Sequence, residues 1–80
     1  METRDTHRYI LRDGRKIVQF GITNGPQDRA MEHVSDGKRF TTMTVVGPVV
    51  TRDSALDWER ARIERYQQSH NGKRPRYNRV

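Results

Sequence analysis

Two apolar runs open the chain, Tyr9-Ile10-Leu11 within Arg8–Arg12 and Ile17-Val18-Gln19-Phe20-Gly21-Ile22 after Lys16, with Asp13-Gly14 between them. β-branched and aromatic residues on both sides of an Asp-Gly pair predict a β-hairpin. Register decides which side chains share a face, since a slip of one residue turns every side chain over. A three-residue loop, Asp13-Gly14-Arg15, gathers Ile10, Val18, Phe20 and Ile22 on one face. It also sets Tyr9 opposite Gln19, beside Leu11 and Ile17. A two-residue loop, read as pairing Tyr9 with Val18, collects the apolar residues less well, so the three-residue loop is the expected one. Residues 1–6 are polar and are expected to fray.

Beyond Ile22 the pattern changes. Thr23-Asn24-Gly25-Pro26 punctuates, and Pro26 suits a first helical position because its missing N–H would have no partner there. The first helix is expected from Pro26 to Val34, burying Met31 and Val34 and ending at Ser35-Asp36-Gly37. Phe40–Val46 reads as a third strand, with Gly47-Pro48 marking an edge or bulge before Val49-Val50. Thr51 or Asp53 caps a second helix that runs to about Ser69 and ends at His70-Asn71-Gly72. The tail Lys73–Asn78 is expected to be extended around Pro75. The order β-β-α-β-α predicts one α+β domain from residue 7 onward, a three-stranded antiparallel sheet flanked by helices.

Composition narrows the chemistry. The chain has 80 residues, of which 31% are hydrophobic, enough for one small domain with a thin core. There is no cysteine, so disulfides and thiolate metal sites are excluded. His7, His33 and His70 lack the spacing of a helical metal site. No apolar run approaches membrane-spanning length, and the expectation is a soluble, cytoplasmic protein without a membrane partner. The net charge of +6 implies a polyanionic partner, most simply nucleic acid. The charge is uneven: Arg60, Arg62, Arg65, Lys73, Arg74, Arg76 and Arg79 stand against one acid, Glu64. That clustering favours a binding face. Lys38 and Arg39, before the third strand, are further candidates for phosphate contact.

Two local features carry candidate chemistry. Arg29 and His33 lie four apart on the first helix, so a cation and an imidazole share one face. Glu59 interrupts the apolar stripe of the second helix, which runs through Ala55, Leu56, Ile63 and Tyr66. A carboxylate in that row calls for a cation. It is either an ion-pair partner, Arg29 being one candidate, or an acid turned out to solvent, or a ligand for a hard divalent ion such as magnesium. Trp58 and Tyr66 offer surfaces on which bases could stack, although helix aromatics in a small domain more often complete the core.

These residues resemble, in order and spacing, the motifs of the GIY-YIG nuclease superfamily, over nearly the whole chain from Arg8 to Asn78. His7-Arg8-Tyr9 stands where the first motif has Gly-Ile-Tyr. Gln19-Phe20-Gly21 stands for Tyr-Ile-Gly, keeping the glycine and replacing the second tyrosine. Arg29 falls eight residues after Gly21, as the family's helix arginine does, and His33 occupies the next turn. Ala55-Leu56-Asp57-Trp58-Glu59 looks like the stretch that ends in the metal-binding glutamate, and Pro75-Arg76-Tyr77-Asn78 is close to the Pro-x-Tyr-Asn ending. About seven residues are inserted before Pro75.

The resemblance implies a divalent-metal-dependent endonuclease acting on DNA phosphodiester bonds, in a phage or mobile-element setting. Glu59 would hold Mg²⁺ or Mn²⁺, Arg29 would stabilise phosphate charge, and Tyr9 would position or deprotonate water. His33 would serve as a base in place of the tyrosine lost at Gln19, and Asn78 would orient phosphate or substrate. DNA is favoured over RNA. Without an added recognition domain, low sequence specificity, a specificity-providing partner or a homodimer is expected. Loss of the second tyrosine keeps open a module that binds nucleic acid through the same fold without turnover, and a protein–protein adaptor ranks third.

Overall fold

The computed structural model describes residues 3–78 and contains strands β1 (Arg4–Asp13) and β2 (Lys16–Thr23), helix α1 (Pro26–Ser35), strand β3 (Thr42–Thr51) and helix α2 (Arg52–Ser69). The three strands form one antiparallel sheet in the order β2-β1-β3. The chain is thus α+β with the expected β-β-α-β-α order. No helix among the described residues is long and apolar enough to cross a membrane.

The hairpin register differs from the sequence expectation in a way that builds the site. Asp13 pairs with Lys16, so Gly14 and Arg15 alone form the turn, and Gly14 takes a left-handed φ of 64°. The register then shifts between Leu11 and Arg12. Arg12 faces Ile17, whereas Leu11 faces Gln19, which leaves Val18 as the extra residue of a β-bulge. Beyond it Ile10 faces Phe20 and Tyr9 faces Gly21, not Gln19. Ile10, Phe20 and Ile22 do fall on one face, as expected. Val18, expected with them, is wholly buried. Alternation along β1 sends Tyr9 and Leu11 to the opposite face.

β1 is also longer at its start than the polar residues suggested. Arg4 pairs with Thr51 and Thr6 with Val50, and Thr6 is buried, so residues 4–6 belong to the sheet. Met1 and Glu2 lie outside the described residues. Phe40 precedes β3, which is continuous from Thr42 to Thr51 through a bulge at Gly47-Pro48 on the sheet edge. There Gly47 has a φ of 66°, and the Arg8 guanidinium lies where its Cβ would be.

Helix α1 buries another residue than its apolar pattern indicated. On α1, Met31 and Val34 are 70% and 66% exposed, and His33 is the residue turned inward. Its ring bonds to Tyr9, so polar contact, not an apolar stripe, sets the rotation of this short helix. On α2, Thr51 caps the first turn by accepting from Ser54 N–H at 3.2 Å. Ala55 is wholly buried, and Trp58 and Tyr66 meet Phe20 edge-on at 6.0 and 6.3 Å. Of the predicted stripe, Ala55, Ile63 and Tyr66 are buried or half-buried, and Leu56, 37% exposed, lies at its margin. Trp58 is half-buried against Phe20, with the Arg8 and Arg62 guanidiniums about its ring at 6.0 and 5.8 Å.

The tail is turned, not extended. Asn78 N–H donates to Pro75 O at 3.0 Å, and the turn docks on the free edge of β2. Tyr77 N–H donates to Val18 O at 2.8 Å. The Asn78 amide pairs with one residue's backbone: Phe20 N–H donates to its Oδ1 and its Nδ2 donates to Phe20 O, both at 2.8 Å. A side chain here imitates a strand and closes an edge that would otherwise be open. Asn78→Ala leaves both Phe20 groups unpaired in a half-buried place, an expected loss of about 1–3 kcal/mol. Urea unfolding measures the loss, and amide exchange at Phe20 should accelerate. Unchanged Phe20 protection would show that the tail does not hold this edge.

Candidate active site

Tyr9 is held by the absence of a side chain. Its ring crosses Gly21, the residue opposite on β2, and a Cβ at that position would overlap the ring and hydroxyl. The glycine lets the phenol lie flat on the backbone with its Oη delivered to α1. Oη is 2.8 Å from His33 Nε2, with the two rings edge to face, and both residues are buried.

The chain of contacts continues past the imidazole. Lys38 follows the end of α1, where its N–H donates to His33 O at 3.2 Å, and this folds its side chain back over the site. Lys38 Nζ lies 2.9 Å from His33 Nδ1 and donates to Gln19 Oε1 at 3.1 Å. It also faces the Tyr77 ring at 5.5 Å, and Tyr77 Oη accepts from Arg39 N–H at 2.8 Å. Tyr9, His33, Lys38 and Gln19 thus form one connected polar path drawn from β1, α1, the α1–β3 loop and β2.

Arg29 and Glu59 act on this path through their charges. Burial pushes the Tyr9 phenol up to about 12, with Arg29 opposing the shift and Glu59 and Glu32 adding to it. Burial, then Lys38 and Arg29, push His33 below its usual range. Burial likewise lowers Lys38, with Asp36 acting in the other direction. Arg29 is not the partner of Glu59: its Nη1 donates to Glu32 at 3.2 Å, one turn along α1. Among the described residues, Glu59 makes no side-chain hydrogen bond or ion pair. Burial raises its pKa, and Arg52 offsets part of the rise. It lines a groove of about 310 Å³ with Arg60, Ile63 and Arg74, while Arg29 lines a separate cleft of about 270 Å³ with Thr23, Asn24 and Arg52.

The remaining predicted contacts divide. Arg39, Lys73, Arg74 and Arg76 are exposed, and Arg74 stands in the Glu59 groove. Arg62 packs on Trp58, and Lys38 belongs to the polar path, so its ammonium is not a free surface charge. Asn78 has both amide atoms engaged by Phe20 and acts on the site by fixing β2. Arg79 lies outside the described residues. Spacing pointed to Tyr9, Arg29 and His33, but no local signal linked Lys38 to His33, because the link depends on how the loop turns back. Among the described residues no three His or acidic side chains converge as a metal cluster. Comparison with known protein families, curated proteins and solved structures gives no match.

The shifts predict the pH response. Tyr9 titrates higher folded than unfolded, so its contribution to stability is complete below about pH 10 and disappears as pH rises toward about 12. His33 titrates lower when folded, so its contribution is complete above about pH 6.5 and is lost as pH falls toward its depressed folded value. Ultraviolet absorbance should show Tyr9 ionising only toward about pH 12, a step that Tyr9→Phe removes. The stability loss on acidification below neutrality should flatten in His33→Gln, and equal slopes in both proteins would contradict this assignment.

Proposed function

We propose that the protein is a divalent-metal-dependent endonuclease module that hydrolyses DNA phosphodiester bonds with little intrinsic sequence preference. The observation that carries this reading is the buried Tyr9–His33 contact at 2.8 Å, within reach of the charges of Arg29 and Glu59. Phosphodiester hydrolysis needs this combination: a proton-transfer pair, a guanidinium for the added charge on phosphorus, and a carboxylate for a cation. The resemblance to GIY-YIG nucleases assigns the same positions.

Arg29 supplies a planar cation whose charge is felt at the Tyr9 phenol, with its Nη1 paired to Glu32. Glu59 is the residue for a cation. A half-buried carboxylate whose charge is disfavoured and has little compensation gains from a bound ion, and magnesium keeps most of its waters while taking one or two carboxylates. When bound, Mg²⁺ or Mn²⁺ would supply Lewis-acid polarisation of a phosphate oxygen. Arg39, Lys73, Arg74 and Arg76 are among the exposed cations available to track a nucleic-acid backbone. A partner or a second copy could then supply sequence preference.

One feature favours a second reading, a module that binds nucleic acid without cleaving it. Gln19 replaces the second motif tyrosine and accepts a hydrogen bond from Lys38. The two readings separate on supercoiled plasmid with Mg²⁺, Mn²⁺ or EDTA. The nuclease reading expects metal-dependent nicking that falls by on the order of 100-fold or more in Arg29→Ala and Glu59→Gln. Glu59→Gln should also fold at least as stably as the native chain. Thermal unfolding should rise with Mn²⁺ in the native protein, by about 2.7 kcal/mol at 100-fold saturation, and not in the variant. Salt-sensitive DNA binding with no nicking under either metal moves the assignment to the binding module.

A further inference from the structure

Helix α2 has a second flank that the candidate site does not use. Trp58, Arg62, Arg65 and Ser69 follow one another at intervals of three or four, so they share a helix face. Glu59, with Arg60, Ile63 and Arg74, lines the separate groove already described. Two shallow hollows mark the Trp58 flank. One, of about 360 Å³, is bounded by Trp58, Ala61 and Gln68, and the other, of about 200 Å³, by Phe20, Tyr66 and His70. Arg62 and Arg65 border both hollows, and Glu64 borders the first. Two arginines thus stand between Trp58 on one side and the Tyr66–His70 pair on the other, and the balance of charge suits a polyanion.

The aromatic groups are held in place before any ligand arrives. The Tyr66 and His70 rings stack with centroids 3.7 Å apart and 3° between their planes. His70 Nδ1 donates to the Tyr66 carbonyl oxygen at 2.8 Å, since a carbonyl can only accept, and this fixes the plane of the imidazole. Tyr66 is half-buried against Phe20, whereas His70 is exposed, so the tyrosine backs a flat ring whose outer side meets solvent. Trp58 is steadied by Phe20, edge-on at 6.0 Å, and opens into the first hollow. Little ordering of these rings is left for a ligand to impose. Trp58 and Tyr66 are eight residues apart, about 12 Å at the helical rise, a span that takes a few nucleotides.

We propose that this flank is a docking surface for single-stranded DNA, with unpaired bases stacked on Trp58 and on His70 and the phosphates between them held by Arg62 and Arg65. The choice of polymer rests on the nuclease reading. Arginines alone would attract a duplex or an acidic peptide as readily as a single strand. The aromatic faces make the difference. They add nothing for a duplex, whose bases are stacked on one another, or for a chain of carboxylates, which has no π surface. Every unpaired base presents such a face, so the attraction is independent of sequence. Glu59 is the residue after Trp58, about 100° round the helix, so a strand on this flank runs beside the groove assigned to the cation. The substrate class that follows is DNA with unpaired nucleotides next to the bond that is cut.

Trp58 is the one tryptophan of the chain, which makes stacking visible in its fluorescence. An oligothymidylate single strand is titrated into the native protein in EDTA, so that nothing is cut. Trp58 emission should be quenched, and the single strand should bind on the order of tenfold tighter than a duplex of equal charge. His70→Ala, at an exposed position, should weaken single-strand binding about tenfold and leave duplex binding unchanged. Arg65→Ala, also exposed, should reduce the slope of log K against log salt by about 0.7. Equal affinity for duplex and single strand, or binding without quenching, overturns the docking surface. Polyglutamate competing as well as the oligonucleotide at equal charge also overturns it, in favour of an acidic protein. Tighter binding of RNA of matching sequence overturns the choice of DNA. With Mg²⁺ or Mn²⁺ present, quenching without nicking overturns the hydrolase reading and leaves the strand surface standing, and nicking without quenching does the reverse.

Discussion

The site depends on one steric constraint, the passage of the Tyr9 ring across a backbone position that has no side chain. Tyr9 is a strand residue on the central strand, and its hydroxyl reaches the helix because Gly21 lies opposite it. The Val18 bulge is what brings those two residues into register. Without the extra residue the pairing that begins at Asp13 and Lys16 would place Phe20 opposite Tyr9, and two large rings would compete for the same space. The bulge therefore does more than relieve strain in a short hairpin. It changes which residue the phenol meets, and it frees the Val18 carbonyl for Tyr77.

From that constraint the rest follows outward. A phenol buried beside the sheet needs a partner for its hydroxyl, and His33 provides it at the cost of turning α1 so that Met31 and Val34 face solvent. The buried imidazole in turn needs a partner for its far nitrogen, which brings the Lys38 loop back over the helix end. Lys38 then contacts Gln19 and the Tyr77 ring, so the path returns to β2 and to the tail that closes its edge. Each polar group here is satisfied by the next element of the fold. The fold and the candidate site are therefore one network.

Legibility in the sequence followed how local each determinant is. Pro26 at the start of α1, the Thr51 cap and the helix end at His70-Asn71-Gly72 are encoded within a few residues, and these elements lie where the pattern places them. Register is different. Adding one residue to a hairpin changes pairings six residues away, and no composition rule marks Val18 as the residue that bulges. The rotation of α1 was hidden for a related reason. An apolar count favours burying Met31 and Val34, but a ten-residue helix has little apolar surface, and one buried hydrogen bond to Tyr9 decides the matter.

The same contrast explains which site residues could be found. Tyr9, Arg29 and His33 have fixed spacings from Gly21, so their proximity follows from strand and helix geometry. Glu59 stood out because it violates its own helix pattern, and its raised pKa is the physical form of that violation. Lys38 and Asn78 had no such marker. As sequence, one is a basic loop residue and the other a polar residue near the end of the tail. Their roles arise only when a loop and a tail meet β2, which both do along the strand that carries Gln19, Phe20 and Gly21. A replacement at Gln19 therefore acts on the lysine before it acts on any chemistry at that position. A tyrosine there would remove the acceptor that holds the ammonium, and the Lys38–His33 contact would lose the strand that steadies it.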